Sequence, residues 1–330
     1  MVALKKNTLT KLATAVLAVA ASVNVYAATT LKLSHNQDRS HPVHKSMQHM
    51  AELVKDYTDG EVKIRIYPNA QLGTQRESLE LLQNGALDMA KSNASELESF
   101  EPAYGAFNIP YLFQDRDHYY RAMNGEAGQQ ILSASYDKGF IGLTYYDAGA
   151  RSFYTSKPIN SPADLQGLKI RIQPSPTAVR MIELMGAAPT PLAYGELYTA
   201  MQQGVVDGAE NNETALTTAR HGEVAKFFSL DEHTMIPDVL VIGSKVWDKL
   251  PEEHQAALKK AADESMMYHK DLWTKMTEES IQEAKDKMGV EFVEVAKQPF
   301  MDAVKPMHEE ALKVPAISKY VEIINNQAKI

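Results

Sequence analysis

The chain contains no cysteine, which removes disulfide scaffolds, thiolate metal sites and cysteine nucleophiles together. It also lacks any block of like charge or basic stripe; 34 Lys and Arg stand against 42 Asp and Glu, a formal charge of −8. Nucleic acid and anionic membranes are therefore poor partners. No Gly-x-Ser-x-Gly, phosphate-binding Gly-x-Gly-x-x-Gly or Ser-x-x-Lys set is present, and none of the many carboxylates falls at a diagnostic acid–base spacing. No catalysed reaction is expected. Internal repeats and low-complexity linkers are missing too. Beyond the first 27 residues no run reaches the ~18 apolar residues of a membrane span, so stable membrane insertion is not expected.

What is present begins with a leader. Lys5, Lys6 and Lys11 precede an apolar run from Leu12 to Ala21, followed by Val25-Tyr26-Ala27 and Ala28. A basic region, a short apolar region and a small-x-small site predict a secretory signal peptide over 1–27. The expected mature protein is exported, starts near Ala28 and is long enough for about two domains. With no disulfide to staple it, such a fold rests on its apolar core.

The mature chain alternates strand and helix signals. Strands are predicted at 30–34, 62–66, 87–90, 140–146, 168–172, 205–209 and 239–242, with helices between them. Thr74-x-x-Glu77 is a capping box and Asn84-Gly85 a helix end. This order predicts parallel sheets with crossover helices. From Pro251 to Lys287 there is neither a glycine nor another proline, and Gly289 follows. The spacing predicts one helical segment about 55 Å long, enough to tie two domains together. Leu258, Ala262, Met266 and Leu272 are its expected inner face.

Within the pattern, Leu168, Ile170 and Ile172 alternate with Lys169, Arg171 and Gln173. Arg171 thus stands near the carboxyl end of a strand, just before Pro174-Ser175-Pro176 opens a helix. Ligands gather at that end of α/β sheets, and a guanidinium beside free helix N–H groups attracts anions. The competing reading is a solvated arginine on an edge strand. Other polar residues are expected just after strands: Lys91 and Asn93, Asp147 and Arg151, and Glu210, Asn211 and Asn212. Asp238 stands just before a strand, and His35-Asn36-Gln37 follows the first. Loops drawn from both halves are what a cleft between two α/β domains needs. Four histidines, His35, His41, His44 and His49, lie close in sequence, but nothing later supplies the converging set zinc requires. No metal and no cofactor is expected.

Longer signatures then add a resemblance. They are Ile66-Tyr67-Pro68-Asn69-Ala70-Gln71-Leu72-Gly73 with Arg76, Gly85-Ala86-Leu87-Asp88, Ile109-Pro110-Tyr111-Leu112-Phe113, Asp164-Leu165-x-Gly167-Leu168-Lys169-Ile170-Arg171, and Gly186 to Glu196 with Val206-Asp207-Gly208-x-Glu210-Asn211. In this order they span the mature chain, which resembles the extracytoplasmic solute-binding proteins of tripartite ATP-independent periplasmic (TRAP) transporters. The resemblance implies an α/β, two-domain periplasmic-binding-protein fold of type II-like organisation, with a ligand cleft between domains and a long domain-spanning helix. The expected division is 28–148 plus 238–276 for one domain and 149–237 plus 277–330 for the other.

The resemblance also implies a periplasmic location, TRAP membrane subunits as partners, a small organic acid as ligand, and a monomer. The family's carboxylate-clamping arginine falls on Arg171, its second arginine on Arg151 and its asparagine on Asn211. Sialic-acid binders carry a glutamate near Asn93 and an arginine three residues on; here Asn93 and Glu96 stand instead, against that ligand. Expected pocket residues are then Arg171, Arg151, Asn211, Asn93, Lys91, Asp147, Glu210, Asp238, His35 and Asn36. Amides and carboxylates suit sugar hydroxyls and oppose a second carboxylate. A uronate or aldonate is therefore expected over a four-carbon dicarboxylate. An exported enzyme acting on sugar acids, or a ligand-sensing receptor partner, are the alternatives of other classes.

Overall fold

A computed structural model describes residues 28–328; the expected signal peptide lies outside the described residues. Eleven strands form two sheets. They are β1 Thr29–Ser34, β2 Val62–Tyr67, β3 Met89–Asn93, β4 Phe140–Tyr146, β5 Arg151–Thr155, β6 Lys169–Ile172, β7 Ala188–Pro191, β8 Gly208–Asn211, β9 Phe227–Thr234, β10 Asp238–Gly243 and β11 Glu291–Glu294. The first sheet has the order β2-β1-β3-β10-β4 and the second β11-β9-β5-β8-β6-β7. Each sheet is covered on both faces. Val239 and Val241 face a core with Phe107, Tyr119 and Ile131, while Leu240 and Ile242 face Met47, Met50 and Leu258. In the second sheet Phe153 packs with Ile170, Ile172 and Phe300, and Tyr154 with Leu197, Ala209 and Phe228. Period-two burial on both faces needs apolar residues at consecutive positions, which Val239 to Ile242 of β10 and Phe153-Tyr154 of β5 supply.

The sheets are mixed rather than parallel. β10 runs antiparallel to β3 and β4, and β5 antiparallel to β8 and β9. Between the strands of the two sheets the chain crosses at 147–150, from β4 into β5, and at 235–237, from β9 into β10. Residues at the start of β5 and β10 therefore share a sheet edge with residues at the ends of β8 and β3. Arg151 pairs with Thr234 across β9, and Asp238 with Asn93 and Tyr146. Four strand ends differ from expectation for this reason. Lys91 and Asn93 lie inside β3, Glu210 and Asn211 inside β8, Arg151 begins β5 and Asp238 begins β10.

The long helix runs from Glu252 to Met288, 37 residues, with Pro251 as N-cap and Gly289 left-handed at its end (φ 65°). Leu258, Ala261 and Ala262 enter the first lobe's core and Ala284 the second's. Between them its inner face is polar, not the expected Met266 and Leu272. Ser265 meets Tyr146 Oη at 2.7 Å, and His269 Nε2 donates to the Asp147 carbonyl at 2.7 Å. Trp273 covers Gly149 (φ 67°), where a Cβ would come within 3.1 Å of the indole. Helix Gln298–Ala311 buries Phe300 and Val304 in the second lobe. The last helix, Ser318–Gln327, departs from the expected division at 277–330. Its Tyr320, Val321 and Ile324 form its apolar face and join the first lobe's core with Tyr119 and Ile131.

Candidate ligand-binding site

Arg171 is the last but one residue of β6, which is hydrogen-bonded to β7 on one side and β8 on the other. It is 1% exposed, so the solvated edge-strand reading fails. Its Nε and Nη2 donate to the Leu192 carbonyl at 3.0 and 2.7 Å, which aims the fork. Its Nη1 is buried with no hydrogen-bond partner. The Tyr194 ring lies 5.9 Å from the guanidinium carbon. Helix Pro176–Leu184 begins a few residues on, capped by Ser175. Burial lowers the Arg171 pKa, although an arginine stays charged at any working pH.

Arg151 is equally buried but fully engaged. Nε and Nη2 grip both Glu210 carboxylate oxygens at 2.5 and 2.8 Å, and Nη1 donates to Asn211 Oδ1 at 3.0 Å. Glu210 also receives His233 Nε2 at 3.3 Å, and His233 Nδ1 lies 2.8 Å from Asp231. Burial alone would raise Glu210; Arg151 and His233 outweigh it and hold its pKa at about 2. Burial alone would lower His233; Asp231 and Glu210 outweigh it and hold it at about 9. Two cations thus neutralise two anions, and the assembly fixes Asn211, whose Oδ1 also receives the Asn212 N–H at 2.9 Å.

The first lobe's wall is balanced in the same way. Lys91 Nζ sits 3.0 Å from Asp238 and 3.3 Å from both Asn36 Oδ1 and Gln75 Oε1. Asn93 Nδ2 donates to Asp238 at 3.1 Å, and its Oδ1 caps the short helix at Ser95. His35 accepts from the Gln37 N–H at 3.1 Å and contacts His44 at 2.9 Å. Burial, with Lys91 nearby, drops its pKa to about 3, so the ring is neutral. Asp147 does not join this set. Its carboxylate turns to Arg116 at 2.5 Å, Tyr120 at 2.7 Å and the Gly149 N–H at 2.8 Å, because the crossing segment folds back on helix Arg116–Asn124.

Two features were not expected. Asp231 and His233, two apart on a strand, share a face, a signal that the period of two could have exposed. Glu98 in the first lobe accepts from Ser175 Oγ at 2.6 Å and Thr177 Oγ1 at 2.5 Å in the second, and Asn108 steadies it at 2.7 Å. That inter-lobe clasp has no sequence signal. Taken together, Arg171 is the buried cation without a hydrogen-bonded counter-charge among the described residues. The arrangement suits one carboxylate with a polar, uncharged remainder.

Two α/β lobes joined by crossing strands, with an arginine of this kind between them, define a ligand-capturing protein. The family profile of the bacterial extracellular solute-binding proteins, family 7, matches residues 33–313. The C4-dicarboxylate-binding periplasmic protein DctP of Rhodobacter capsulatus is 33% identical over 287 residues, covering 85% of each chain. A TRAP periplasmic solute-binding protein from Anaerococcus prevotii with bound D-glucuronate is 37% identical with a TM-score of 0.89, covering 91% of this chain and 98% of its own. One from Bradyrhizobium sp. with bound D-galacturonate is 39% identical with a TM-score of 0.88, covering 90% and 99%. The chain belongs to family 7 of the bacterial extracellular solute-binding proteins and is a TRAP-type solute-binding protein. Among the described residues no helix is long and apolar enough to cross a membrane.

Proposed function

We propose that this protein captures a hexuronate or closely related sugar acid in the periplasm and delivers it to TRAP membrane subunits without chemical change. The observation that carries the reading is the buried, unpartnered Nη1 of Arg171, while Lys91 and Arg151 are each held by an acid. A carboxylate meets the guanidinium fork, and each charge-assisted bond contributes about 1.5–3 kcal/mol. Arg151 acts through Asn211, whose amide reaches the same ligand end. Asn93, Asn36 and the Lys91–Asp238 pair face the sugar hydroxyls, to which amides and paired charges both donate and accept. Two relatives of similar fold hold glucuronate and galacturonate.

The DctP relative raises a dicarboxylate as the second reading. It needs a second cation, yet Lys91 lies 3.0 Å from Asp238 and Arg151 is held by Glu210. A second carboxylate would have to break one of these buried pairs, which opposes it by a few kcal/mol. In the proposed cycle the lobes open and close about the crossings at 147–150 and 235–237, and the ligand favours the closed form because only there does it touch both. Cleavage near Ala28 releases the exported chain. Protein stripped of ligand, titrated calorimetrically with glucuronate, galacturonate, gluconate, succinate and malate, tests the reading. A uronate is expected to bind at micromolar Kd or tighter. Tight succinate or malate binding with no sugar-acid response overturns it.

A further inference from the structure

A second space lies at the outer side of the hinge, with a volume of about 420 Å³, within the size range of small-molecule pockets. Its walls come from the first-lobe loop at 111–116, both crossing segments, the long helix and helix Gln298–Ala311. None of Arg171, Asn211, Lys91 or Asn93 lines it. Tyr111, Phe113, Met235, Trp273 and Met301 give it an apolar, partly aromatic lining. We propose that this chamber is a second small-molecule site, selective for an organic cation with an aromatic or aliphatic body.

The sign of the charge follows from which groups already have partners. Arg116 is bound to Asp147, Lys297 to Glu232, and His233 to Asp231 and Glu210. Asp115 caps its helix by accepting from the His118 N–H at 2.7 Å. Glu213 remains, with no side-chain partner among the described residues. Among the other lining residues, the hydroxyls of Thr234 and Thr277 are buried and without partners, and Thr234 is only 3% exposed. An ammonium suits such a lining, since it donates several hydrogen bonds, neutralises a carboxylate and is attracted to aromatic faces. An anion would meet cations that are already engaged and a carboxylate that repels it. Burial pushes the Glu213 pKa up to about 7; a hydrogen bond from its own backbone N–H and the Arg116 charge oppose this, and Glu232 and Asp147 add to it. The carboxylate is therefore mainly ionised at about pH 8, where binding should be measured.

The test uses full-length mature protein carrying Arg171→Ala, so that the cleft does not compete for the matched anion. Phenethylammonium and phenylacetate, alike in shape and opposite in charge, are titrated at about pH 8 and low salt. Phenethylammonium should saturate at a low-millimolar Kd or tighter, and phenylacetate at least about tenfold more weakly. Glu213→Gln removes the charge, and Met301→Trp fills the chamber from its exposed rim; each should weaken phenethylammonium at least about tenfold. Circular dichroism and melting identify folded variants, and whichever of the two folds decides the matter. Absence of saturable phenethylammonium binding up to about 50 mM, equal binding of both ions, or full binding in either folded variant overturns the proposal.

Discussion

The two sides of the hinge carry opposite residual charges. On the cleft side the Arg151–Glu210–His233–Asp231 and Lys91–Asp238 groups neutralise one another, and Arg171 keeps an unpartnered Nη1, with the buried Glu96 within its field but not hydrogen-bonded to it. On the outer side Arg116 and Lys297 are bound to acids, and Glu213 is left over. Both regions are rich in charge of both signs, so composition alone would not separate them. The difference teaches that a site's selectivity is read from the group whose partner is missing, and not from a count of its charged residues. Buried charges that have found partners act as scaffold, because disrupting them costs several kcal/mol.

The largest effect should follow from removing the cleft's residual cation. Arg171→Ala should raise the Kd for the sugar acid by two to three decades or more, about 3–5 kcal/mol, with the fold intact. Arg171→Lys should recover only part of this, since an ammonium has no fork. Calorimetry on folded variants checks both, and wild-type affinity in the alanine variant would remove Arg171 from the site.

A scaffold cation should behave differently, through stability. His233→Gln leaves Asp231 and Glu210 short of a counter-charge and should destabilise by about 3 kcal/mol near neutral pH. The folded pKa of His233, about 9, lies above the unfolded value. Its contribution is therefore fully present below about pH 6.5 and is lost as pH rises through 9. Denaturant titrations from pH 6 to 10 should show the gap between wild type and variant closing with rising pH. A constant gap would mean that the imidazolium is not the stabilising form.

Glu213 should show the reverse consequence of substitution. Its folded pKa, about 7, is raised above the unfolded value, so the folded state keeps a proton that the unfolded chain releases. Stability is lost as pH rises from about 4.5 to 7, and the cost of ionising persists above that. Glu213→Gln should stabilise by about 1–3 kcal/mol at pH 8 and be neutral near pH 4. Thermal melts at the two pH values measure it; a destabilised variant at pH 8 would mean the carboxylate has a partner after all.

The smallest effect is expected at the clasp. Glu98→Ala removes the acceptor for Ser175 and Thr177 without touching the proposed ligand contacts. Weakening the closed form by about 1 kcal/mol should raise Kd roughly fivefold. Small-angle scattering should show a larger radius of gyration at subsaturating ligand than for wild type. Unchanged affinity and radius would show that closure does not depend on this contact.

The sequence by itself determined the local structure and the position of the principal cation. Alternation over 168–172 and the Ser175-Pro176 opening put Arg171 at a strand end before a helix, and the Pro251 and Gly289 boundaries delimited the long helix. These are local signals, set by backbone sterics and apolar period, and they survive without knowledge of the rest of the chain. Only the tertiary structure decided which charges remain available. Lys91 meets Asp238, 147 positions away, Arg151 meets Glu210, and Asp147 turns from the cleft to Arg116. The same holds for the last helix, which returns to the first lobe, and for the reversed entry of β5 and β10. Such pairings depend on which distant segments the packed lobes bring within about 3 Å. A carboxylate's reach is that short, and neither periodicity nor composition encodes it.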